Sequence, residues 1–121
     1  MVLSKGIHVV VPSEKLPLKQ MTFSVSRDDR PVFMIPRGET VYLGTTDTLH
    51  ERAEVWPEVT AAEVDYLFEP VKRYFATSLQ RSDCLTSWAG LRPLIFESGK
   101  SLCSESHVFV FYFDNLCRIK I

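Results

Sequence analysis

Met21-Thr22-Phe23-Ser24-Val25-Ser26, Arg27-Asp28-Asp29-Arg30-Pro31, Val32-Phe33-Met34-Ile35, Pro36-Arg37-Gly38-Glu39 and Thr40-Val41-Tyr42-Leu43-Gly44-Thr45 follow one another without a gap, and their reading decides the fold. The first segment alternates. Met21, Phe23 and Val25 lie on one side, Thr22, Ser24 and Ser26 on the other, which is the period of two of a strand with one wet face. Ser26 to Pro31 is turn chemistry, because Asp side chains bond the local backbone. Val32 to Ile35 then runs back, completing a hairpin. Pro36 to Glu39 is a second turn and Thr40 to Thr45 a third strand. The three strands predict an antiparallel meander.

Outward from the meander, the chain adds a strand on the N-terminal side. Ile7-His8-Val9-Val10-Val11 is mostly β-branched and ends at Pro12, and Pro12 to Leu18 is an irregular connection with two prolines. On the C-terminal side, Thr60-Ala61-Ala62-Glu63 is a capping box, in which the Thr hydroxyl takes a backbone N–H and the Glu reaches back. Val64, Leu67, Phe68, Val71 and Phe75 follow on one helical face. Pro70 interrupts that pattern at a cost of about 3 kcal/mol, so a kink or break is expected near Glu69. Asp83 to Trp88 reads as a strand entering Ala89 to Ile95. Ser98 to Ser101 reads as a linker, and Val108 to Phe113 as strand-like.

The chain has 121 residues and a net charge of -1, which fits one domain. That balance gives no electrostatic footprint for nucleic acid. The longest apolar run, Val108 to Phe113, falls far short of the ~20 residues that span a membrane. The stretch from Ile7 to Val11 is too short for a signal peptide. The 3 cysteines form no CxxC pair, so a disulfide framework is not expected and a reducing, cytoplasmic setting is. The glycines never approach the G-x-G-x-x-G spacing of a dinucleotide fold, and there is no P-loop. His8, His50, His107, Cys84, Cys103 and Cys117 lack metal-ligand spacing, so no metal is expected. No Gly-x-Ser-x-Gly elbow exists for a hydrolase.

Three constellations carry chemistry. In Lys5-Gly6-Ile7-His8, alternation puts Gly6 and His8 on one face, Lys5 and Ile7 on the other. A ligand could then approach the backbone at Gly6 beside an imidazole that donates or accepts. The same residues also read as a strand start with a surface histidine. Gly44-Thr45-Thr46-Asp47-Thr48 ends a strand in hydroxyls and a carboxylate, which suits a polar ligand and equally a plain polar turn. In Trp88-Ala89-Gly90-Leu91-Arg92-Pro93, Arg92 is fixed between Gly90 and Pro93. Its planar fork suits a phosphate or carboxylate, although a turn arginine would look the same.

These segments resemble the FAD-dependent glycerol-3-phosphate dehydrogenases, in the form found in Bacillus-like bacteria. Ser4 to Pro12, Leu16 to Gln20, Val32 to Arg37, Gly44 to Thr48, Asp65-Tyr66-Leu67 and Ser87 to Ile95 all match, in order and spacing, over roughly residues 3–100. The resemblance implies an α+β fold, an antiparallel sheet with a helix on one face, like the substrate domain of the D-amino-acid-oxidase-like FAD oxidoreductases. It implies oxidation of glycerol 3-phosphate to dihydroxyacetone phosphate, with hydride passing to FAD and electrons to quinone at the inner face of the membrane. Arg92 would hold the anionic group. His8 would accept the proton of the C2 hydroxyl or polarise it. Thr45, Thr46 and Asp47 would be loop contacts near the cleft.

The glycine-rich FAD motif is absent from these residues, so the chain is expected to be a truncated central piece (residues 1–100), inactive alone and without bound FAD. Val9, Val11, Phe33 and Ile35 are expected to line a bared face and drive self-association. A stand-alone binding module that reuses the sheet is the alternative, and a degraded gene product a third reading. Residues 101–121 depart from the family. Glu105-Ser106-His107-Val108 is what a one-base deletion in codons for Glu-Ile-Ser-Arg encodes, so residues 106–121 are expected to be read in a shifted frame.

Overall fold

A computed structural model describes residues 2–94. The tail expectations for residues 101–121, and Ile95 of the last motif, lie outside the described residues. The chain builds β1 (Val2–Pro12), β2 (Thr22–Val25), β3 (Pro31–Arg37), β4 (Thr40–Gly44), β5 (Thr48–His50), α1 (Ala61–Tyr74), a 3-10 turn (Arg81–Asp83) and β6 (Thr86–Leu94). The sheet order is β2-β3-β4-β1-β5, with β6 also on β1, and every pairing is antiparallel. The β2-β3-β4 meander forms as the alternation predicts. Gly38 makes its second turn at φ +59, a conformation that L side chains rarely adopt.

β1 is the centre of the sheet. His8 pairs both Gly44 of β4 and Trp88 of β6, and Leu3 pairs both His50 of β5 and Pro93 of β6. So β4 and β5 share one edge of β1, and β6 runs along the other. By sequence Thr48 reads as loop. It begins β5 instead, because the chain rejoins the same edge of β1 immediately after Asp47.

Helix α1 covers one face. Val64, Leu67, Phe68 and Val71 pack on Ile7, Val9, Val11, Val32, Met34, Val41 and Leu43 in a single core. The capping box at Thr60 and Glu63 forms as read. The helix runs unbroken through Pro70, contrary to the expected break. Pro70 is fully buried in the core-facing surface, and burial of the apolar stripe, with the cap, offsets the lost N–H bond.

Two face assignments are corrected. Val9 and Val11 are fully buried under the helix, and Phe33 and Ile35 alone of the four expected residues lie on the open face, 40% and 38% exposed. β2 is inverted relative to its apparent polarity: Phe23 is 63% exposed while Ser24 and Ser26 are buried. The register explains it. Phe23 pairs Phe33 and Ser24 pairs Val32, and the turn after β2 is tied to the helix side. The Tyr66 hydroxyl donates to Asp28 Oδ1 at 2.8 Å and is hydrogen-bonded with Ser26 Oγ at 3.0 Å. Arg27 Nε donates to Glu69 Oε1 at 2.9 Å.

The open face therefore carries Met21, Phe23, Phe33, Ile35 and Trp88 in contact with solvent. An apolar patch of this kind drives association. The 121-residue chain is expected to self-associate in sedimentation velocity runs at micromolar concentration. Phe23→Ser with Ile35→Thr should shift it toward monomer. A parent chain that stays monomeric across the concentration range would refute the expectation.

Candidate functional site

The site is built where the ladder on one edge of β1 is interrupted. β4 pairs β1 down to His8↔Gly44, and β5 resumes at Lys5↔Thr48. Gly6 and Ile7 thus face Thr45, Thr46 and Asp47, an excess of one residue. This is a β-bulge, a device that re-aims side chains beside functional sites. The Gly44–Thr45 peptide within it is cis. Ile7 loses its ladder partner here, and its N–H donates instead to Thr46 Oγ1 at 3.0 Å.

On the open face, β1 contributes Ser4, Gly6 and His8, and β6 contributes Arg92, Gly90 and Trp88 directly opposite them. The middle pair carries no side chains. The Arg92 guanidinium leans over Gly6, so a Cβ there would collide with it and reach Thr45 Oγ1 at 2.7 Å. A Cβ on Gly90 would meet nothing within 4 Å. The result is a bare patch of backbone at Gly90, bounded by Arg92 on one side and the His8–Trp88 pair on the other.

Arg92 is docked on the bulge. Its Nη2 donates to Thr46 O at 2.8 Å and Thr45 Oγ1 at 3.3 Å, and its Nη1 lies 3.9 Å from Asp47 Oδ1. Its side chain remains 37% exposed, so the rest of the fork faces the patch. Asp47 also accepts from Ser4 Oγ. Arg30, which the sequence reading left in a turn, donates from Nη1 to Asp47 O at 2.6 Å.

His8 is packed between Trp88 and Gly44. Its ring stacks on Trp88 with centroids 5.2 Å apart and planes 8° off parallel, and Tyr42 meets Trp88 edge-on at 5.6 Å. It lies over Gly44, where a Cβ would collide with the ring and come within 2.5 Å of Nε2. Burial first, and then the Arg92 charge, lower its pKa below the ordinary 6.5. The imidazole is therefore neutral near pH 7 and able to accept a proton.

The lowered pKa of His8 links folding to pH. Below about 6.5 the unfolded chain binds a proton that the folded chain resists, so this contribution to stability is present above 6.5 and declines as pH falls. Arg92→Met is expected to raise the His8 midpoint in an NMR titration, though only in part, because burial is the larger cause. An unchanged midpoint would show that the two groups do not sense each other.

The structure thus gathers His8, Arg92, Thr45, Thr46 and Asp47 around one patch and adds Ser4, Tyr42 and Trp88 to it, with Arg30 behind the bulge on Asp47 O. Lys5 and Ile7 lie on the face opposite Gly6 and His8, as alternation placed them, and that face is the one the helix covers. Among the described residues no three His, Cys, Asp or Glu side chains cluster as metal ligands. The patch and its aromatic border fit a flat ring or a small anionic polyol laid on the sheet.

Comparison with known proteins agrees with this fold. The sequence model of the family described as FAD dependent oxidoreductase matches residues 1–116. The chain is 41% identical over 100 residues to an aerobic glycerol-3-phosphate dehydrogenase of Staphylococcus epidermidis, covering 81% of this chain and 18% of that one. It is 40% identical to the Staphylococcus aureus protein of the same name over 100 residues, with the same coverage. The crystal structure of the glycerol-3-phosphate dehydrogenase from Bacillus halodurans, complexed with FAD, superposes with a TM-score of 0.74 at 39% identity, over 78% of this chain and 20% of that one. The chain therefore spans about a fifth of the length of these relatives.

Proposed function

Because the chain belongs to the FAD-dependent oxidoreductase family, we propose that it forms the substrate-facing sheet of a glycerol-3-phosphate dehydrogenase. The observation that carries this reading is the Arg92 fork, docked on Thr45 and Thr46 beside a neutral His8, across a patch with no side chain at Gly90. Such a pair suits a substrate with an anion at one end and a hydroxyl to be deprotonated a few ångströms away.

In this reading Arg92 binds the phosphate of glycerol 3-phosphate. Its Nη2 is committed to the bulge, which leaves Nη1 and Nε to meet oxygens, and charge-assisted bonds of this kind are the stronger class. His8, fixed in plane by Trp88, takes the proton from the C2 hydroxyl at one ring nitrogen. Thr45, Thr46 and Asp47 hold the arginine at the right distance from the imidazole. A flavin, when bound, would supply the hydride acceptor. The apolar border of Phe33, Ile35 and Trp88 would exclude water from that contact. The same proposal carries a cytoplasmic setting, with electrons passing to a membrane quinone in the intact enzyme.

Arg→Lys at the position matching Arg92 in a full-length relative tests the assignment. Lys keeps the charge but loses the fork. The lost bonds are worth about 1.5–3 kcal/mol, so kcat/KM for glycerol 3-phosphate is expected to fall roughly tenfold or more, with flavin content unchanged. Unaltered kcat/KM would make Arg92 a structural turn residue.

A further inference from the structure

Resting on that reading of Arg92, we infer that Arg30 is a positioning residue that holds the bulge against which Arg92 docks. The two guanidiniums grip consecutive carbonyls of one short segment: Arg92 Nη2 takes Thr46 O at 2.8 Å and Arg30 Nη1 takes Asp47 O at 2.6 Å. The Asp47 carboxylate lies between them. Its Oδ2 is 3.7 Å from Arg30 Nη1 and its Oδ1 is 3.9 Å from Arg92 Nη1.

Arg30 is itself fixed from the far side of the molecule. It ends the β2–β3 turn, where its N–H donates to Ser26 Oγ at 3.1 Å and its Nε lies 3.3 Å from Asp28 Oδ2. The Tyr66 hydroxyl on α1 donates to Asp28 Oδ1 and is hydrogen-bonded with Ser26 Oγ. Helix α1 thus anchors the turn, the turn presents Arg30, and Arg30 fixes the Asp47 end of the bulge. A bulge needs such support, because its extra residue has no ladder partner of its own. Arg30 does not touch the patch at Gly90. It acts on the anion site through Asp47 and Thr46.

The first measurement is made on the 121-residue chain without ligand. Exchange of the Arg92 side-chain N–H protons, followed by NMR, reports how firmly the guanidinium is seated. Arg30→Met is expected to speed that exchange about tenfold, and Arg30→Lys to restore part of the protection through one remaining bond to Asp47 O. A residue that only stabilised the fold would lower Tm and leave Arg92 exchange in the folded chain unmoved; that result overturns the inference.

The second measurement titrates the chain with glycerol 3-phosphate. Arg30→Met should weaken binding about fivefold in the parent and have little further effect when Arg92→Met is already present, since a residue that acts by positioning Arg92 then has nothing left to position. An equal loss in both backgrounds makes Arg30 a direct anion ligand and overturns the positioning role. If Arg92→Lys leaves binding unchanged while Arg30→Met still speeds Arg92 exchange, the positioning stands and the anion-clamp reading of Arg92 falls. The two failures are therefore distinguishable.

Discussion

Gly6→Ala should empty the anion site while leaving the sheet folded. A Cβ at this position collides with the Arg92 guanidinium and crowds Thr45 Oγ1 at 2.7 Å. The guanidinium is the far end of a flexible side chain and swings away, whereas Thr45 Oγ1 sits on a short β-branched side chain and must give by rotating about χ1. Alanine in a strand interior even gains about 0.5–1 kcal/mol over glycine, so Tm is expected to hold or rise slightly. The guanidinium, however, loses its seat on Thr46 O and Thr45 Oγ1. Charge-assisted bonds worth roughly 1.5–3 kcal/mol are then lost from the binding geometry, which corresponds to about ten- to a hundredfold weaker binding of glycerol 3-phosphate by calorimetry. Gly44→Ala makes the matching test of the other half: its Cβ collides with the His8 ring, so it should shift the His8 titration and leave Arg92 in place. If Gly6→Ala binds the anion as the parent does, Arg92 is not the clamp.

The site was legible in part because its residues cluster locally. Gly6 and His8 share a strand face by simple alternation, and Gly90 and Arg92 do so on β6, so pairing the two strands assembles the patch. What alternation cannot supply is which face turns inward. In β2 the apolar side, Met21 and Phe23, faces out and the serines face the helix, because a period of two separates the faces without naming the buried one. Val9 and Val11 were misplaced for the same reason. The unbroken helix at Pro70 reflects tertiary burial outweighing a local propensity.

Arg30 was hidden among the charges of a turn, yet a signal for it existed. The β3–β4 register pairs Arg37 with Thr40 and Phe33 with Gly44. Continued beyond the strand end, that register sets Arg30 opposite Asp47, a cross-strand pair of opposite charge. The bulge itself had no such signal. It follows from β5 rejoining β1 one residue out of step with β4, a long-range pairing that no local pattern reports.

Lys5→Met is expected to cost more stability than any change at the patch. Lys5 lies on the helix side of β1, one residue from Gly6. Its ammonium sits 2.9 Å from Glu63 Oε1, with the two side chains only 9% and 10% exposed, and donates to Glu58 O at 2.8 Å. Removing one partner strands a buried carboxylate, which typically costs about 3–5 kcal/mol, a large share of the roughly 5–15 kcal/mol that holds a domain together. Urea unfolding should show that loss directly. Lys5→Met with Glu63→Gln should recover most of it, because Gln still completes the capping box with Thr60 and carries no charge. The pH dependence separates this cause from lost packing. In the parent, burial opposes ionisation of Glu63, but the Thr60 N–H, Lys5 and the Thr60 hydroxyl outweigh it and hold the carboxyl below 4.5. That contribution is present above 4.5 and is lost as pH falls through the lower, folded-state value. With Lys5 gone, burial has less to oppose it, and the folded carboxyl takes up a proton more readily than in the parent. The gap between parent and variant should therefore narrow on acidification toward pH 4. A gap that stays constant with pH would assign the loss to packing of the lysine stem and not to the stranded charge.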